Sequence, residues 1–120
     1  QYFTKIVSNF HSCLEGQVIC VELRRSLIKK FSEEFDLRDK IFRYFRAIKG
    51  VEVIVILTEQ GENKTRVNLR SQGRVDVARL AALYGGGGHR RASGYLVNGN
   101  IVKANDTIIA QLKEVLPKKI

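Results

Sequence analysis

Cysteine and histidine are scarce in this 120-residue sequence, which has two of each. Cys13 and Cys20 are too few for a disulfide framework, and with His11 and His89 they make no recognisable zinc-binding spacing. The sequence therefore argues against a small domain held together by disulfides and against a structural metal site. We expect both cysteines to be reduced and to lie in the core.

Proline and long apolar runs are also missing. The chain has one proline, no low-complexity tract and 44% apolar residues, which is typical of an ordinary folded domain. No apolar stretch approaches the roughly 20 residues that span a bilayer, and the start QYFTKIVSNF has no signal-peptide pattern. The sequence therefore predicts a cytoplasmic protein without membrane contact, and its length suits one domain with its own core.

Acidic residues are few compared with basic ones. Lys and Arg number 21 and Asp and Glu 12, a formal net charge of +9. Residues 1–60 hold 10 basic and 8 acidic residues (+2), and residues 61–120 hold 11 and 4 (+7). Such an excess favours a polyanionic partner, although many basic domains bind none. The excess lies in the half of the chain that also carries an unusual glycine run.

Hydrophobic periodicity predicts helices that alternate with strands. The predicted helices cover residues 3–14, 24–34, Asp36 to Gly50, Asp76 to the glycine run, and a C-terminal segment that Pro117 ends. The predicted strands are QVICVEL at 17–23, VEVIVIL at 51–57, TRVNLRS at 65–71, and two short strands within 95–103 on either side of an Asn-Gly turn. Together they predict an α/β fold, a mixed β-sheet of about five strands flanked by helices, in a single domain spanning 1–120.

The stretch LYGGGGHRRASGYLV at 83–97 places four glycines between a helix and a strand. A flexible tether would have polar neighbours, and neither common nucleotide-binding glycine fingerprint fits. Gly85 can end the preceding helix, but three glycines remain, and each weakens a regular element by about 0.5–1 kcal/mol. A Gly-rich loop at 85–89, with bare backbone N–H groups beside His89, Arg90 and Arg91, would suit a phosphate. The alternative is an exposed histidine and solvated arginines, and the residues alone leave both open.

VEVIVIL, VNLRS and VDVARLAALYGGGGHRRASGY, in this order and spacing, resemble the C-terminal DHH-associated domain, subfamily one, of the DHH phosphoesterases. The resemblance covers about residues 50–97. Upstream, GQVICVEL and FRAIKGVEV are similar to the nano-RNase and exopolyphosphatase-related branch. The alanyl-tRNA synthetase version of the domain usually lacks the histidine after the glycines, so it is the less similar relative.

The resemblance implies a division of labour between two domains. Such enzymes hold two manganese ions in an N-terminal DHH domain, and these 120 residues contain no Asp-His-His triplet. We therefore expect this chain to be the substrate-binding half, with no catalytic residue and no metal ligand of its own, and its partner to be the DHH domain of the same parent chain. The parent would be a manganese-dependent phosphodiesterase.

The resemblance also implies roles for individual residues. The backbone of Gly86, Gly87 and Gly88 and the side chain of His89 would hold a phosphate. Arg70 and Ser71 would contact a neighbouring phosphate or sugar. Arg91 stands where relatives commonly have a shorter polar residue, and Ser93 stands where they commonly have alanine. These differences leave the role of Arg91 open. The predicted phosphate-binding residues are Gly86, Gly87, Gly88, His89, Arg70, Ser71 and Arg91.

Three functions remain open from the sequence. The first is to bind short oligoribonucleotides, nucleoside bisphosphates or dinucleotides for a phosphodiesterase. The second is a stand-alone nucleic-acid-binding module, against which the basic stretch offers no aromatic platform for stacking bases. The third is binding of inorganic polyphosphate.

Overall fold

The computed structural model describes residues 10–25 and 37–116. Six strands and three helices lie in these ranges. They are β1 (Phe10–Cys13), β2 (Val18–Leu23), α1 (Leu37–Phe45), β3 (Val53–Gly61), β4 (Lys64–Ser71), α2 (Val77–Ala82), β5 (Gly87–His89), β6 (Ala92–Val97) and α3 (Ile101–Val115). The strands form one mixed sheet in the order β1-β2-β3-β4-β6-β5, in which only β2 and β3 are parallel. The predicted α/β fold with a mixed sheet is confirmed.

Strand β3 is an interior strand of the sheet and is covered on both faces. Residues 53–58 are all buried, as the continuous apolarity of VEVIVIL predicts for a strand covered on both faces. Val53, Val55 and Leu57 belong to one apolar cluster, and Ile54 and Ile56 to the other. The predicted hairpin to β4 is also present, in antiparallel register.

The two faces of the sheet are covered to different extents. On one face α2 and α3 pack over the strands from β2 to β6, and the cluster includes Val67, Leu69 and Tyr95. On the other face the apolar cluster of α1 involves β2 and β3 only, through Ile41 and Phe45. No helix of the described residues covers β4, β6 and β5 completely on this second face, which leaves room there for a site.

The predicted helix at 3–14 is wrong where the structure describes it. Residues 10–13 are strand β1, which pairs antiparallel with β2. A tight turn at Leu14, Glu15 and Gly16, all at positive φ, reverses the chain, and the Phe10 ring packs 4.8 Å from that of Phe45. Tertiary pairing outweighs the four-residue spacing of Phe10 and Leu14 that suggested a helix. Residues 1–9 lie outside the described part.

The predicted second strand after the Asn-Gly turn is also wrong. Asn98 and Gly99 lead instead into α3, which begins at Ile101 and is capped by the Asn100 side chain accepting from the N–H of Lys103 at 2.9 Å. Thr65 Oγ1 donates to the Gly99 carbonyl at 2.9 Å and fixes this connection. An asparagine that caps a helix and one in a hairpin turn look alike in sequence.

Three other predicted helices differ in how much of each the structure confirms. Helix α1 confirms the stripe of Leu37, Ile41 and Phe45 but ends at Phe45, and Ile48 is 42% exposed. The predicted helix at 24–34 and the Asp36 cap lie almost wholly in residues 26–36, outside the described part. The C-terminal helix is confirmed and is anchored by Ile108 and Leu112.

Both cysteines are free, as expected. Cys20 is buried and Cys13 partly so. Their thiols share a hydrogen bond, which lowers the pKa of Cys13 and, together with burial, raises that of Cys20. None of the helices within 10–25 and 37–116 is long and apolar enough to cross a membrane.

Candidate phosphate-binding site

The first two glycines of the run close helix α2. Gly85 has a φ of +83°, and its N–H donates to Ala82 O at 3.3 Å, while the Gly86 N–H donates to Ala81 O at 2.9 Å. This pair of bonds is the Schellman closure, which favours glycine because of the left-handed residue. A Cβ at Gly86 would also collide with Gly94 O. The prediction that Gly85 ends the helix is confirmed, and the N–H of Gly86 is already used within the protein.

The rest of the run is an edge strand rather than the loop that the sequence suggested. Gly87, Gly88 and His89 form β5, which pairs antiparallel with β6. At Gly88 the φ is +148° and a Cβ would lie 2.5 Å from Ala92 O, so the fold itself requires glycine. At Gly87 the φ is not positive and a Cβ would meet nothing within 4 Å. Gly87 is therefore the one glycine of the run whose missing side chain the fold does not explain.

Register places the candidate residues on one face of the sheet. Arg70 pairs with Ala92 and Ala92 with His89; in the next row Asn68 pairs with Gly94 and Gly94 with Gly87. Residues directly opposite each other share a face, so these two rows lie on the face that α1 leaves open. Arg70 and His89 are two strands apart, about 10 Å between backbones. Small residues lie between them and make a low floor.

A cavity of about 280 Å³ lies over this floor. The polar residues Arg66, Asn68 and Arg70 border it from β4, Gly87 and Gly88 from β5, and Arg38, Asp39 and Phe42 from α1. Among the described residues that line the cavity there are thus three arginines and one carboxylate, and the floor of Ala92 and Gly94 is apolar. The arrangement can accept an anion together with a flat or weakly polar group. We call this the glycine-side cavity.

Arg70 is held in place without being buried. Its guanidinium lies 4.4 Å from the centre of the Phe42 ring and 3.5 Å from Asp39 Oδ1, and its side chain is 42% exposed. An ion pair this exposed contributes little to stability, about 0–1 kcal/mol. The contacts instead hold a planar guanidinium group at the wall of the cavity, and such a group matches the geometry of phosphate.

The other predicted residues divide between positions. His89 is exposed on the edge strand, in the row of Arg70 but outside the walls of the glycine-side cavity. Ser71 is buried, and its Oγ accepts from the N–H groups of Gly73 at 3.0 Å and Val75 at 3.3 Å. Ser71 and Arg91 border a second cavity beside the first. The structure thus brings Arg70, Gly87 and Gly88 together, while Ser71 has a structural task in the β4–α2 connection.

Several residues of the cavity are not among the site residues that the sequence predicts. These are Arg38, Asp39, Phe42, Arg66, Asn68 and Gly94. A signal existed for Arg66 and Asn68, because they alternate with the apolar residues of TRVNLRS and so share the face of Arg70. Contacts from α1 could not be found, because nothing in the sequence places that helix beside β4.

No group of three or more His, Cys, Asp or Glu side chains in residues 10–25 and 37–116 could hold a metal ion. The described residues therefore do not fit a two-manganese centre. Any such centre would need ligands from elsewhere.

The chain matches known proteins over most of its length. The model of the DHHA1 domain matches residues 17–117. The bifunctional oligoribonuclease and PAP phosphatase NrnA of Mycoplasma genitalium is 30% identical over 114 residues, which is 95% of this chain and 35% of that protein. The chain thus spans about a third of the length of this relative.

Solved structures share the fold. An exopolyphosphatase-related protein from Bacteroides fragilis has a TM-score of 0.81 at 25% identity over 94% of this chain and 33% of its own. The pGpG-specific phosphodiesterase PggH from Vibrio cholerae has a TM-score of 0.64 at 15% identity. The match covers 95% of this chain and 37% of the PggH chain, and this likeness concerns the fold alone. Since the family model matches residues 17–117, which is most of the chain, the chain belongs to the DHHA1 domain family.

Proposed function

We propose that this domain binds the phosphate groups of a short oligoribonucleotide or nucleotide in the glycine-side cavity and presents them to a catalytic DHH domain. The observation that carries the proposal is the meeting of Arg70 with Gly87 in one cavity. An oriented guanidinium faces a glycine that has room for a side chain and no conformational need to lack one. A ligand that approaches the backbone closely is the physical reason to keep such a position bare.

His89 has a role consistent with this proposal. Its side chain is exposed, and the end of α2 is already closed by Gly85 and Gly86, so it does not cap that helix. From the edge strand it could donate a hydrogen bond to a phosphoryl oxygen bound between β5 and Arg70. A hydrogen bond to an anionic phosphoryl oxygen is charge-assisted, which makes it stronger than a hydrogen bond between neutral groups.

The reaction belongs to the proposal as well. The relative from Mycoplasma genitalium is named an oligoribonuclease and PAP phosphatase, and it is nearly three times as long as the matched segment. We infer that this chain works beside a manganese-containing catalytic domain in a phosphodiesterase of the same class. The chain's own residues supply binding and orientation of the substrate, and the metals would supply the attacking hydroxide.

A nucleotide fits the cavity better than inorganic polyphosphate. Phe42, Ala92 and Gly94 give the walls and the floor an apolar part, against which a sugar or a base can pack. Polyphosphate has no apolar part and would use the arginines only. Polyphosphate remains the second candidate because a solved structure of 25% identity is named exopolyphosphatase-related.

The test is binding of a fluorescent 5′-phosphorylated diadenylate to this chain. Arg70→Ala should weaken binding about tenfold or more, because it removes charge-assisted hydrogen bonds of about 1.5–3 kcal/mol. The control is Arg79→Ala, which removes the same charge from an exposed position on α2. Helix α2 covers the face of the sheet opposite to the cavity, so this substitution should leave the affinity unchanged. Equal effects of the two substitutions, or none from Arg70→Ala, would refute the proposal. Unlabelled polyphosphate that displaces the probe better than the dinucleotide would favour the second candidate.

A further inference from the structure

The two cysteines of the chain meet on one face of the sheet, at the edge opposite to β5. Cys13 ends β1, and Cys20 lies in β2. In the antiparallel register Cys13 pairs with Val18, and residues directly opposite each other share a face. Cys20 follows Val18 by two residues along the strand and therefore lies on the same face. The sheet thus holds two thiols side by side.

The two sulfur atoms are already in contact. Cys20 Sγ–H donates a hydrogen bond to Cys13 Sγ, although the two residues are diagonal rather than directly opposite in the register. A disulfide requires a closer approach than a hydrogen bond between thiols. Cys13 can make this approach because β1 is four residues long and, among the strands that the structure describes, pairs with β2 only.

The thiols differ in exposure and in acidity. Cys13 is partly buried, whereas Cys20 is fully buried in the apolar cluster that includes residues of α2 and α3. The hydrogen bond from Cys20 lowers the pKa of Cys13, against the opposite effect of its partial burial, and the same bond together with burial raises the pKa of Cys20. The thiolate is the reactive form of cysteine, so Cys13 is the residue that reacts with an oxidant. An accessible thiolate beside a second thiol is typical of redox-sensing cysteines.

Packing and metal binding account for the pair less well. Packing explains Cys20, which is surrounded by apolar side chains, but it requires no second thiol at the partly exposed Cys13. Register also places His11 opposite Cys20, yet no group of three His, Cys, Asp or Glu side chains within 10–25 and 37–116 could hold a metal ion. The chemistry that two adjacent thiols perform together is the formation of a disulfide.

We propose that Cys13 and Cys20 are a redox modification site, at which hydrogen peroxide converts the two thiols into a reversible disulfide within the chain. Cys13 is the thiol that attacks the oxidant, and Cys20 is the thiol that resolves the product. The pair lies on the face that carries α2 and α3, whereas the glycine-side cavity lies on the other face of the sheet. This inference therefore does not depend on the proposed function.

The reaction has two steps. In the first, the Cys13 thiolate attacks one oxygen of hydrogen peroxide; an S–O bond forms, the O–O bond breaks, and the hydroxide that leaves takes up a proton to become water. Cys13 is then a sulfenic acid. In the second, Cys20 Sγ attacks Cys13 Sγ; the S–S bond forms, the S–O bond breaks, and the departing hydroxide takes the proton of Cys20 as water. The two thiols together lose two electrons, which the peroxide gains.

The experiment is peroxide titration of the whole chain, read by intact mass. The reduced chain is treated with hydrogen peroxide at neutral pH, denatured in acid and alkylated. Because the sequence has no methionine, no tryptophan and only these two cysteines, the change of mass reports on this pair alone. The product should be a monomer that is lighter by two hydrogens and takes up no alkylating group. Dithiothreitol should restore two alkylatable thiols.

Serine variants assign the two roles. In Cys20→Ser, Cys13 should stop at the sulfenic acid, which dimedone traps. In Cys13→Ser, the buried Cys20 should react with peroxide about tenfold more slowly, or less, than Cys13 does in Cys20→Ser. The result on the parent chain needs no substitution, so it holds even if a variant folds poorly. The proposal is overturned if peroxide leaves both thiols alkylatable, if Cys13 gains oxygen while Cys20 stays reduced, or if disulfides form only between separate chains.

Discussion

Each glycine of the run has its own physical reason. Gly85 adopts a left-handed φ of +83°. Gly86 leaves room for the backbone of β6, and Gly88 has both a positive φ and a close approach to Ala92. Gly87 has none of these, and it borders the cavity. A run that looks uniform in sequence thus combines three positions that stabilise the fold with one that is free to serve a ligand.

Alanine substitution should separate these reasons. Gly87→Ala should leave the melting temperature unchanged, because the new methyl group meets nothing within 4 Å, and should weaken binding of the diadenylate probe by occupying the space of the ligand. Gly86→Ala is the matched control: its methyl group collides with backbone and should destabilise the fold, as overpacking does, by about 1–3 kcal/mol. Thermal unfolding and probe titration of the same samples measure both. If Gly87→Ala binds as well as the parent chain, the glycine strand is not a ligand surface.

The connection from β4 to α2 sets the geometry of both cavities. Ser71 ends β4, and its hydroxyl accepts two backbone N–H groups of the turn that follows. Asp76 then caps α2, accepting from the N–H of Ala78 at 3.0 Å and of Arg79 at 3.3 Å. Ser93 on β6 donates to Val77 O at 2.6 Å and joins the helix to the sheet. These bonds position the helix whose end delivers the glycine strand.

Ser71→Ala should therefore act on stability. The substitution leaves two backbone donors of a partly buried turn without their acceptor, at a cost of about 1–3 kcal/mol in the free energy of unfolding. Urea denaturation monitored by circular dichroism measures it, with Ser12→Ala on the exposed edge strand as the control that should change little. An unfolding free energy equal to that of the parent, with weakened nucleotide binding, would instead return Ser71 to the ligand-contacting role that the resemblance implies.

Elements with a long, unambiguous pattern could be predicted from the sequence. The apolar run of β3, the alternation of β4 and the start of α2 at Asp76 are local signals, and each is confirmed. Strands β1 and β5 were missed because they are three or four residues long and exist only by pairing with β2 and β6. For the site, Arg70 and the glycine run could be identified, but the wall from α1 depends on a tertiary contact that no local pattern encodes.

The uneven distribution of basic charge along the chain agrees with the position of the cavities. The half with a net charge of +7 supplies β4, β5 and β6, and α1 from the other half adds Arg38, Arg43 and Arg46. Both cavities lie on the face of the sheet that α1 covers only in part. In the described part of the chain, basic cavities on one face of the sheet and an apolar core on the other suit the proposed sharing of a ligand with a second domain.

The last prediction concerns catalysis by this chain alone. Hydrolysis by two metal ions needs several carboxylate or imidazole ligands around a shared site, and residues 10–25 and 37–116 bring no three such side chains together. We expect no release of nucleotide from 5′-phosphorylated diadenylate, and none of p-nitrophenol from bis-p-nitrophenyl phosphate, when manganese is added to the purified chain. Chromatography of the products after long incubation measures both, and a separately supplied DHH domain serves as the positive control. Manganese-dependent turnover that co-elutes with the chain and falls in the Arg70→Ala variant would show that the chain has a catalytic centre of its own.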